Sequence, residues 1–452
     1  MVKNKIKGIR IMTWFTNIFL WAFLVVFLSL FLMLFVIYVQ VTQKSIEQIT
    51  SNFYAPLYAM FISLVISGLA FILLYVFARE RMQRISNLRK LCKLIYSNGF
   101  YISEIKNKQK QITYFPEFYY YENEGEIFIT IKLDGSKFHD NFLSLGTKFE
   151  HIYNSELESK LLENSYVKYR LLKHDNLKRL NIKDPIYMEE GEYRVPLMSN
   201  LNWEILKHPH AFIIGPTGSG KTNLLFYLIK YLIKLKCNLN IIDPKMSNLS
   251  RLNSVLGSEN VVSEKDEILN KLDLADEEIK NRYSSMYNFG EFKVNQSFLN
   301  YNLKPYVIIF DEFASFIDSC YDNQKKIAYD RVTNIILKGR QVGVFIIVLT
   351  QNTEEKFIST DVMNNFGLIV TLGNMSRNGY SVIFQDIEKD YSKNIEKGQG
   401  YIYLNGVYDT VLEFYSPLIP DDYDFIDDVK RIMLESGNTM QIENINQLSM
   451  SI

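Results

Sequence analysis

The chain opens with two long apolar blocks. No charged residue stands between Ile11 and Gln43, and the middle of that stretch, Ile18 to Val39, is almost wholly apolar; a second charge-free stretch runs from Gln48 to Ala78. Each exceeds the roughly 20 apolar residues that a bilayer-spanning helix needs. Aromatic residues stand near the ends of both (Trp14, Trp21 and Tyr38; Tyr54, Tyr58 and Tyr75), as interfacial belts do. The pattern predicts a transmembrane helical hairpin with spans at about 14–39 and 54–78. The first apolar region is too long for a cleavable signal peptide, and no small-residue cleavage site follows it. Lys3, Lys5, Lys7 and Arg10 precede the first span, and Arg79, Arg81, Arg84, Arg89, Lys90 and Lys93 follow the second, whereas the connecting loop holds only Lys44 and Glu47. The positive-inside rule then places both termini in the cytoplasm and the hairpin in the plasma membrane.

Beyond the hairpin, Arg79 to Asn98 reads as a basic helix with Ile85, Leu88, Leu91, Leu94 and Ile95 roughly on one side. Such a helix lies against anionic lipid or serves as a solvated charged linker. From Gly99 to about Leu201 the elements become short and mixed. Glu126 to Leu133 alternates as a strand after the aromatic cluster Phe115 to Tyr121, while Ser155 to Leu162 and Leu177 to Leu180 carry helical spacing. This predicts a small α/β adaptor.

Strand and helix patterns then alternate. Ala211 to Ile214 is an apolar run; Leu224, Leu225, Leu228, Leu232 and Leu235 mark a helix face; Leu239 to Ile242 is a buried strand; Ile268, Leu272, Ala275, Ile279, Tyr283 and Met286 mark a long amphipathic helix. Tyr306 to Phe310, Val344 to Leu349 and Phe366 to Leu372 are further strands, and Gly400 to Leu404 and Thr410 to Phe414 are joined through Asn405-Gly406, a strong hairpin signal. The alternation predicts an α/β fold with a mostly parallel, doubly wound sheet. The expected organisation is a membrane module (1–90), an adaptor (91–200), a motor domain (201–420) and a polar tail (421–452) too short for another domain.

Composition adds less. Of 452 residues, 48% are hydrophobic, ample for real cores, and Lys+Arg and Asp+Glu both total 50, so no global basic field announces nucleic acid. The three cysteines, Cys92, Cys237 and Cys320, are far apart and suggest reduced, buried thiols rather than a disulfide or zinc framework.

The chemistry centres on Gly215-Pro216-Thr217-Gly218-Ser219-Gly220-Lys221-Thr222, which satisfies G-x-x-x-x-G-K-[ST] between a strand and a helix. Its backbone N–H groups would cradle the phosphates of ATP, with Lys221 on the β/γ-phosphates and the Thr222 hydroxyl on Mg²⁺. Asp311-Glu312 ends an apolar strand, expected beside the phosphate-loop strand, where Asp311 would hold Mg²⁺ and Glu312 would orient and deprotonate the attacking water. Thr350-Gln351 ends another; Gln351 either senses the γ-phosphate or is a polar strand terminus.

Four ordered motifs now resemble a family, the FtsK/SpoIIIE group of RecA-like DNA-translocating ATPases. They are His208-Pro209-His210 before the phosphate loop, Asp243-Pro244-Lys245, the run VIIFDEFA from Val307 to Ala314, and Gly339-Arg340-Gln341-Val342-Gly343 ahead of Thr350-Gln351. The resemblance covers roughly residues 203–416. It implies a RecA-like P-loop motor that assembles as a homo-hexamer, with an arginine supplied in trans. Arg340 and Arg377 are the candidates for that role, or ordinary surface arginines. Two departures stand out: Gln351-Asn352-Thr353 replaces the usual Gln-Arg-Pro, and Gly379-Tyr380 lies where many members have Ser-Arg.

Two spans, an adaptor and one motor look most like the short coupling proteins of conjugative transposons and plasmids. That likeness implies a membrane-anchored DNA translocase that delivers relaxase-bound DNA to a type IV secretion channel. A protein-translocating secretion ATPase and an FtsK-like double-stranded DNA segregation motor are the alternatives; a nucleotide-switched scaffold is a third, against which Glu312 argues. Lys325, Lys326, Arg331, Lys338 and Arg340 form the densest basic stretch of the motor, either a DNA-gripping surface or a solvated helix.

Overall fold

The computed structural model describes residues 8–17, 24–33, 36–37, 61–62, 64–66, 68–69, 79–106, 109–123, 125–163, 165–173, 179–186, 191–288, 297–351, 360–385, 387, 389, 391 and 395–435. The chain divides into two compact units, one comprising Met1–Ser155 with Lys160–Lys173 and the other Glu156–Ser159 with His174–Ile452.

In the first unit, β1 (Ile9–Arg10), β4 (Phe118–Asn123), β5 (Glu126–Lys132), β7 (Tyr166–Lys173) and β6 (Ser155–Glu163) form a sheet in that order, with β1–β4, β4–β5 and β5–β7 antiparallel. Period-two burial sends Phe118, Tyr120, Ile127, Ile129, Ile131, Val167, Tyr169 and Leu171 to one face. Helix α1 (Arg79–Ser97) buries Leu88, Leu91, Leu94 and Ile95, and its Asn87 Nδ2 donates to Tyr120 Oη at 2.9 Å. The basic helix is therefore a core element of this unit, its apolar stripe in the interior and Arg84, Lys90 and Lys93 exposed. β2 (Ile102–Lys106) and β3 (Gln109–Tyr114) form a separate ribbon, and α2 (His139–Leu143) and α3 (Gly146–Tyr153) follow β5.

Three expectations change here. Ser155 to Leu162 is strand, not helix: Glu156 and Glu158 are buried while Leu161 and Leu162 face outward, because pairing beside β7 overrides the leucine spacing. Of Leu177 to Leu180, only Arg179 and Leu180 are described, and neither is helical. Thr13–Asn17 forms a 3₁₀ turn with Phe15 buried, and Cys92 Sγ meets Met12 O at 3.3 Å, so residues 14–17 belong to this unit rather than to a membrane span.

The remainder of both expected spans lies largely outside the described residues. Those described, 24–33 and 36–37 in the first and 61–62, 64–66 and 68–69 in the second, are helical, and Val25, Leu28, Leu32, Phe61, Leu64 and Leu69 are exposed on them. No helix among the described residues is long and apolar enough to cross a membrane.

The second unit carries an eight-stranded sheet in the order β12-β11-β13-β14-β10-β15-β16-β17. Its strands are β10 (Ala211–Ile214), β11 (Asn238–Ile242), β12 (Val261–Val262), β13 (Tyr306–Phe310), β14 (Val344–Thr350), β15 (Leu368–Leu372), β16 (Gln399–Leu404) and β17 (Leu412–Tyr415). The six strands from β12 to β15 are parallel; β16 and β17 add an antiparallel edge. β10, β13, β14 and β15 are buried along their whole length, which is why they read as unbroken apolar runs. The helices are α4 (Lys221–Lys234), α5 (Asn253–Leu256), α6 (Lys265–Asn288), α7 (Phe313–Ser319), α8 (Asp322–Val342), α9 (Thr360–Met363), α10 (Arg377–Phe384) and α11 (Phe425–Glu435). A short ribbon of β8 (Arg194–Met198) and β9 (Leu201–Glu204) precedes them.

The acidic strand β13 is not beside the phosphate-loop strand β10, as expected, but one strand further on, with β14 between them. The expected polar tail holds the amphipathic helix α11. Val429, Ile432 and Met433 are buried, Phe425 stacks on Phe226 at 4.1 Å, and Asp428 pairs with Lys230 at 3.0 Å. Its charges hid an apolar stripe of helical period. The β16–β17 loop spans 405–411, longer than a two-residue Asn-Gly turn.

At the amino edge of the sheet, His208-Pro209-His210 acts as a clasp. Gly367 N donates to Pro209 O at 2.6 Å, Leu368 N to His210 O at 3.1 Å, and Ile346 N to His210 Nδ1 at 3.2 Å, joining the approach to β10 with β14 and β15. Burial pushes His210 down from 6.5 to about 3, opposed by a backbone hydrogen bond with Ile336 and aided by the charge of Arg340. A folded-state pKa below the unfolded one contributes stability that is present above pH 6.5 and is lost as pH falls toward 3. Lowering the pH from about 7 to about 5 should therefore cost about 2 kcal/mol through this residue. His210→Asn keeps an acceptor and tolerates the φ of 60°, so the stability difference between wild type and variant, read by thermal melting, should be smaller at pH 5 than at pH 7 by about that amount.

Candidate functional site: a phosphate loop facing an acidic strand end

β10 ends at Ile214, and the chain turns through Gly215–Gly220 into α4. Gly220 has φ 103°, a conformation that L side chains rarely adopt, and a Cβ there would lie 2.9 Å from Gly398 Cα. α4 begins at Lys221 and buries Leu224, Leu225, Leu228 and Leu232, which anchors the loop to the sheet. Pro216, Thr217, Gly218 and Thr222 are exposed, and Ser219 is buried.

The Lys221 ammonium folds back onto the loop, donating to Gly215 O and, at 3.4 Å, to Pro216 O. Desolvation lowers its pKa, opposed by the charges of Glu312 and Asp311. Both carboxylates are thus near enough to act on it electrostatically, with β14 lying between their strand and the loop's.

Asp311 is raised to about 6, first by burial and then by Asp243 and Glu312, with Lys221 and Lys245 opposing. Its N–H donates to Ile242 O at 2.9 Å, which sets the end of β13 against that of β11. Glu312 is 4% exposed and adopts φ 58°, ψ 56°, a left-handed conformation uncommon for a residue with a side chain and typical of strain held at functional sites. Its Oε1 accepts from Gln351 N at 3.1 Å, and its Oε2 lies 3.5 Å from Lys245 Nζ. Gln351 in turn accepts from Thr217 Oγ1 at 2.8 Å, so the β14 terminus links the acidic strand end to the phosphate loop.

Sequence reasoning had found Asp243 and Lys245 only as a motif, yet both belong to the site. Asp243, fully buried at the end of β11, accepts through Oδ2 from the N–H and hydroxyl groups of Ser247 and Ser250 at 2.7–3.0 Å, while its Oδ1 has no partner among the described residues. The carboxyl-edge rule applied to β11 as well as to β13 would have found them.

The site's chemistry fits a divalent cation shared with nucleotide phosphates. It offers the Thr222 hydroxyl, an Asp311 carboxylate crowded by like charge, and the free Asp243 Oδ1 in its vicinity. Thr222 and Asp311 would hold Mg²⁺, which neutralises charge on the phosphates. Among the described residues there is no cluster of three or more His, Cys, Asp or Glu arranged as an independent metal site.

Arg340 and Arg377 separate. Arg340 is exposed in the last turn of α8, at the amino edge of β14, the opposite edge from the phosphate loop; Arg377 is exposed at the start of α10, just past the carboxyl end of β15. Arg340 is thus not brought to its own subunit's site. In the basic stretch, Arg331 is occupied by Asp273 at 2.6 Å and Asp276 at 3.2 Å, whereas Lys326, Lys338 and Arg340 are exposed.

The FtsK/SpoIIIE family model matches residues 194–304, which hold the phosphate loop and Asp243. The Ftsk domain-containing protein YdcQ of Bacillus subtilis is 32% identical over 370 residues, covering 80% of this chain and 76% of that protein. The chain belongs to the FtsK/SpoIIIE family. It is an ATPase of that family. The DNA translocase FtsK of Borreliella burgdorferi is 27% identical over 196 residues, 39% of this chain and 24% of that longer protein. The solved structure of the pCW3 conjugation coupling protein TcpA, a monomer with ATPγS, has 17% identity and a TM-score of 0.47, covering 71% of this chain and 94% of that one.

Lys245 gives a prediction specific to this geometry. It is exposed, so its ion pair contributes little to stability. It also holds down the pKa of Asp311 and faces Glu312 Oε2. Lys245→Met should raise Asp311 further and move the acid limb of the kcat/KM profile for ATP hydrolysis to higher pH, with the plateau rate changed by no more than about tenfold. A pH–rate profile of the variant checks this.

Proposed function

We propose that this FtsK/SpoIIIE ATPase is a membrane-anchored, Mg²⁺-dependent DNA translocase, and that its cargo is DNA delivered with a relaxase to a type IV secretion channel during conjugation. The observation that carries the motor reading is the continuous link from Thr217 through Gln351 to Glu312 and Lys245, which couples occupancy of the phosphate loop to the water-activating carboxylate. Glu312 would accept the proton of the attacking water, Lys221 would leave its loop carbonyls for the β/γ-phosphates, and Gln351 would report the γ-phosphate to β14.

Family membership and the likeness to a DNA translocase support DNA as the substrate. The exposed apolar side chains on the helical residues described within 24–37 and 61–69 support membrane anchoring, and the basic residues flanking the two apolar blocks support placing both termini in the cytoplasm. The conjugative role rests on the organisation of the sequence as two apolar blocks, an adaptor and one motor. A hexameric ring would bring an arginine of one protomer to the site of the next, and it would pool the exposed Lys326, Lys338 and Arg340 of each copy.

The test is ATP hydrolysis by the full-length protein in detergent, with and without single- or double-stranded DNA and with Mg²⁺ or excess chelator. Stimulation by DNA that requires Mg²⁺ supports the reading. Stimulation by a secreted polypeptide and not by DNA would transfer it to a protein-secretion ATPase.

A further inference from the structure

The catalytic groups lie on one flank of the phosphate loop. Glu312 and Gln351 terminate β13 and β14, so the γ-phosphate end of a bound nucleotide points toward that side of β10. The nucleoside must then extend along the same sheet edge in the other direction, past β15 toward β16 and β17. β16 is antiparallel to β15 and β17 antiparallel to β16, which puts the start of β16 and the end of β17 at this edge, with Gln399 opposite Tyr415.

The corner found there is built around Gly398, Ser416 and Arg179. Gly398 N donates to Ser219 O at 2.8 Å, tying the corner to the phosphate loop, and Ser416 N donates to Gly398 O at 2.6 Å. Arg179 comes from the segment ahead of the family-matched region. Leu418 N donates to Leu180 O at 2.8 Å and Ile182 N to Leu418 O at 3.0 Å, which fixes that segment beside the end of β17. Arg179 Nε donates to Ser416 O at 2.5 Å, and its Nη2 lies 2.6 Å from where a Cβ on Gly398 would stand, so the guanidinium occupies the space that Gly398 leaves.

Two polar groups of this corner keep unused hydrogen-bonding capacity among the described residues. Among the described residues Arg179 forms no ion pair, although it remains exposed; partial burial lowers its pKa and the charge of Glu396 opposes that. The Ser416 hydroxyl is fully buried and has no hydrogen-bond partner among the described residues, which leaves the corner polar but unsatisfied.

We propose that Arg179 is a nucleoside-binding residue, its guanidinium plane forming a wall against the base and ribose of the nucleotide held by the phosphate loop. A guanidinium suits this position because it is planar, weakly hydrated and stacks on ring faces, which an ammonium does not reproduce. Every base has such a face, so the contact adds affinity without selecting adenine over guanine. The inference rests on the reading of the phosphate loop as an ATP site.

The experiment measures binding of a fluorescent ADP analogue to the full-length protein, with ATP, GTP and inorganic tripolyphosphate as competitors, in wild type, Arg179→Ala and Arg179→Lys. Arg179→Ala should weaken both nucleotides about tenfold and equally, and Arg179→Lys should not restore them. Tripolyphosphate, which lacks a nucleoside, should compete equally well in all three proteins. Unchanged nucleotide affinity in Arg179→Ala would overturn the proposal, as would equal weakening of tripolyphosphate, which would make Arg179 a brace for the phosphate loop. A wild-type protein that binds no nucleotide but melts cooperatively would overturn the ATP-site reading itself, and this inference with it. Arg179→Lys keeps the charge and stem, so it supplies the test if the alanine variant melts early.

Discussion

Glu312→Gln is expected to lower the turnover number for ATP by about 10³-fold while leaving nucleotide affinity within about threefold. The amide is nearly isosteric with the carboxylate, so it can still accept from Gln351 N and still occupy the buried, left-handed position at the end of β13. What it loses is the ability to take a proton from water. Gln also removes a negative charge next to Asp311, whose carboxyl is held at about 6 by burial and then by like charges, so Asp311 should ionise more readily in the variant. Phosphate and metal binding are then preserved or improved, and the defect is confined to chemistry. Steady-state turnover together with equilibrium binding separates the two effects. Loss of binding in proportion to turnover would mean that Glu312 is a structural support of the loop.

Lys221→Ala should behave differently, with kcat/KM lowered by about 10³-fold and most of the loss in binding. Lys221 is the cation that opposes Asp311 and Glu312 from within the loop. Without it, the site presents carboxylates to a polyanion, and Asp311 is pushed up further from about 6. The loop also loses the group that holds the Gly215 and Pro216 carbonyls. Lys221→Met, which restores the volume and not the charge, should bind nucleotide as poorly as the alanine variant. Titration with a fluorescent nucleotide distinguishes this from a defect in turnover alone.

The α/β sheet of the ATPase was legible because its physics is local. Four-to-seven-residue apolar runs ending in polar residues mark parallel strands buried on both faces, and their carboxyl ends name the site. Strand order was not legible: nothing in Val307–Phe310 says that β14 inserts between it and β10, which depends on how long connections cross the sheet. Asp243 and Lys245 were legible in part: the end of β11 marks them at the same sheet edge, whereas their proximity to Asp311 and Glu312 arises between strands rather than along one. The first unit was harder. Ser155–Glu163 carries leucines at helical spacing, but an available strand edge decided its conformation. α11 was hidden by its acidic and basic residues, whose partners, such as Lys230, lie some 200 positions away.

The claim at the centre of this account is that ATP hydrolysis at Glu312 moves DNA through the protein. Displacement of the third strand from a triplex end by the full-length protein, followed with ATP, with a non-hydrolysable analogue and in Glu312→Gln, measures that movement directly. Displacement that requires hydrolysable ATP and disappears in Glu312→Gln is the predicted result. Vigorous ATP hydrolysis by a protein that binds the triplex substrate and never displaces the strand would contradict it.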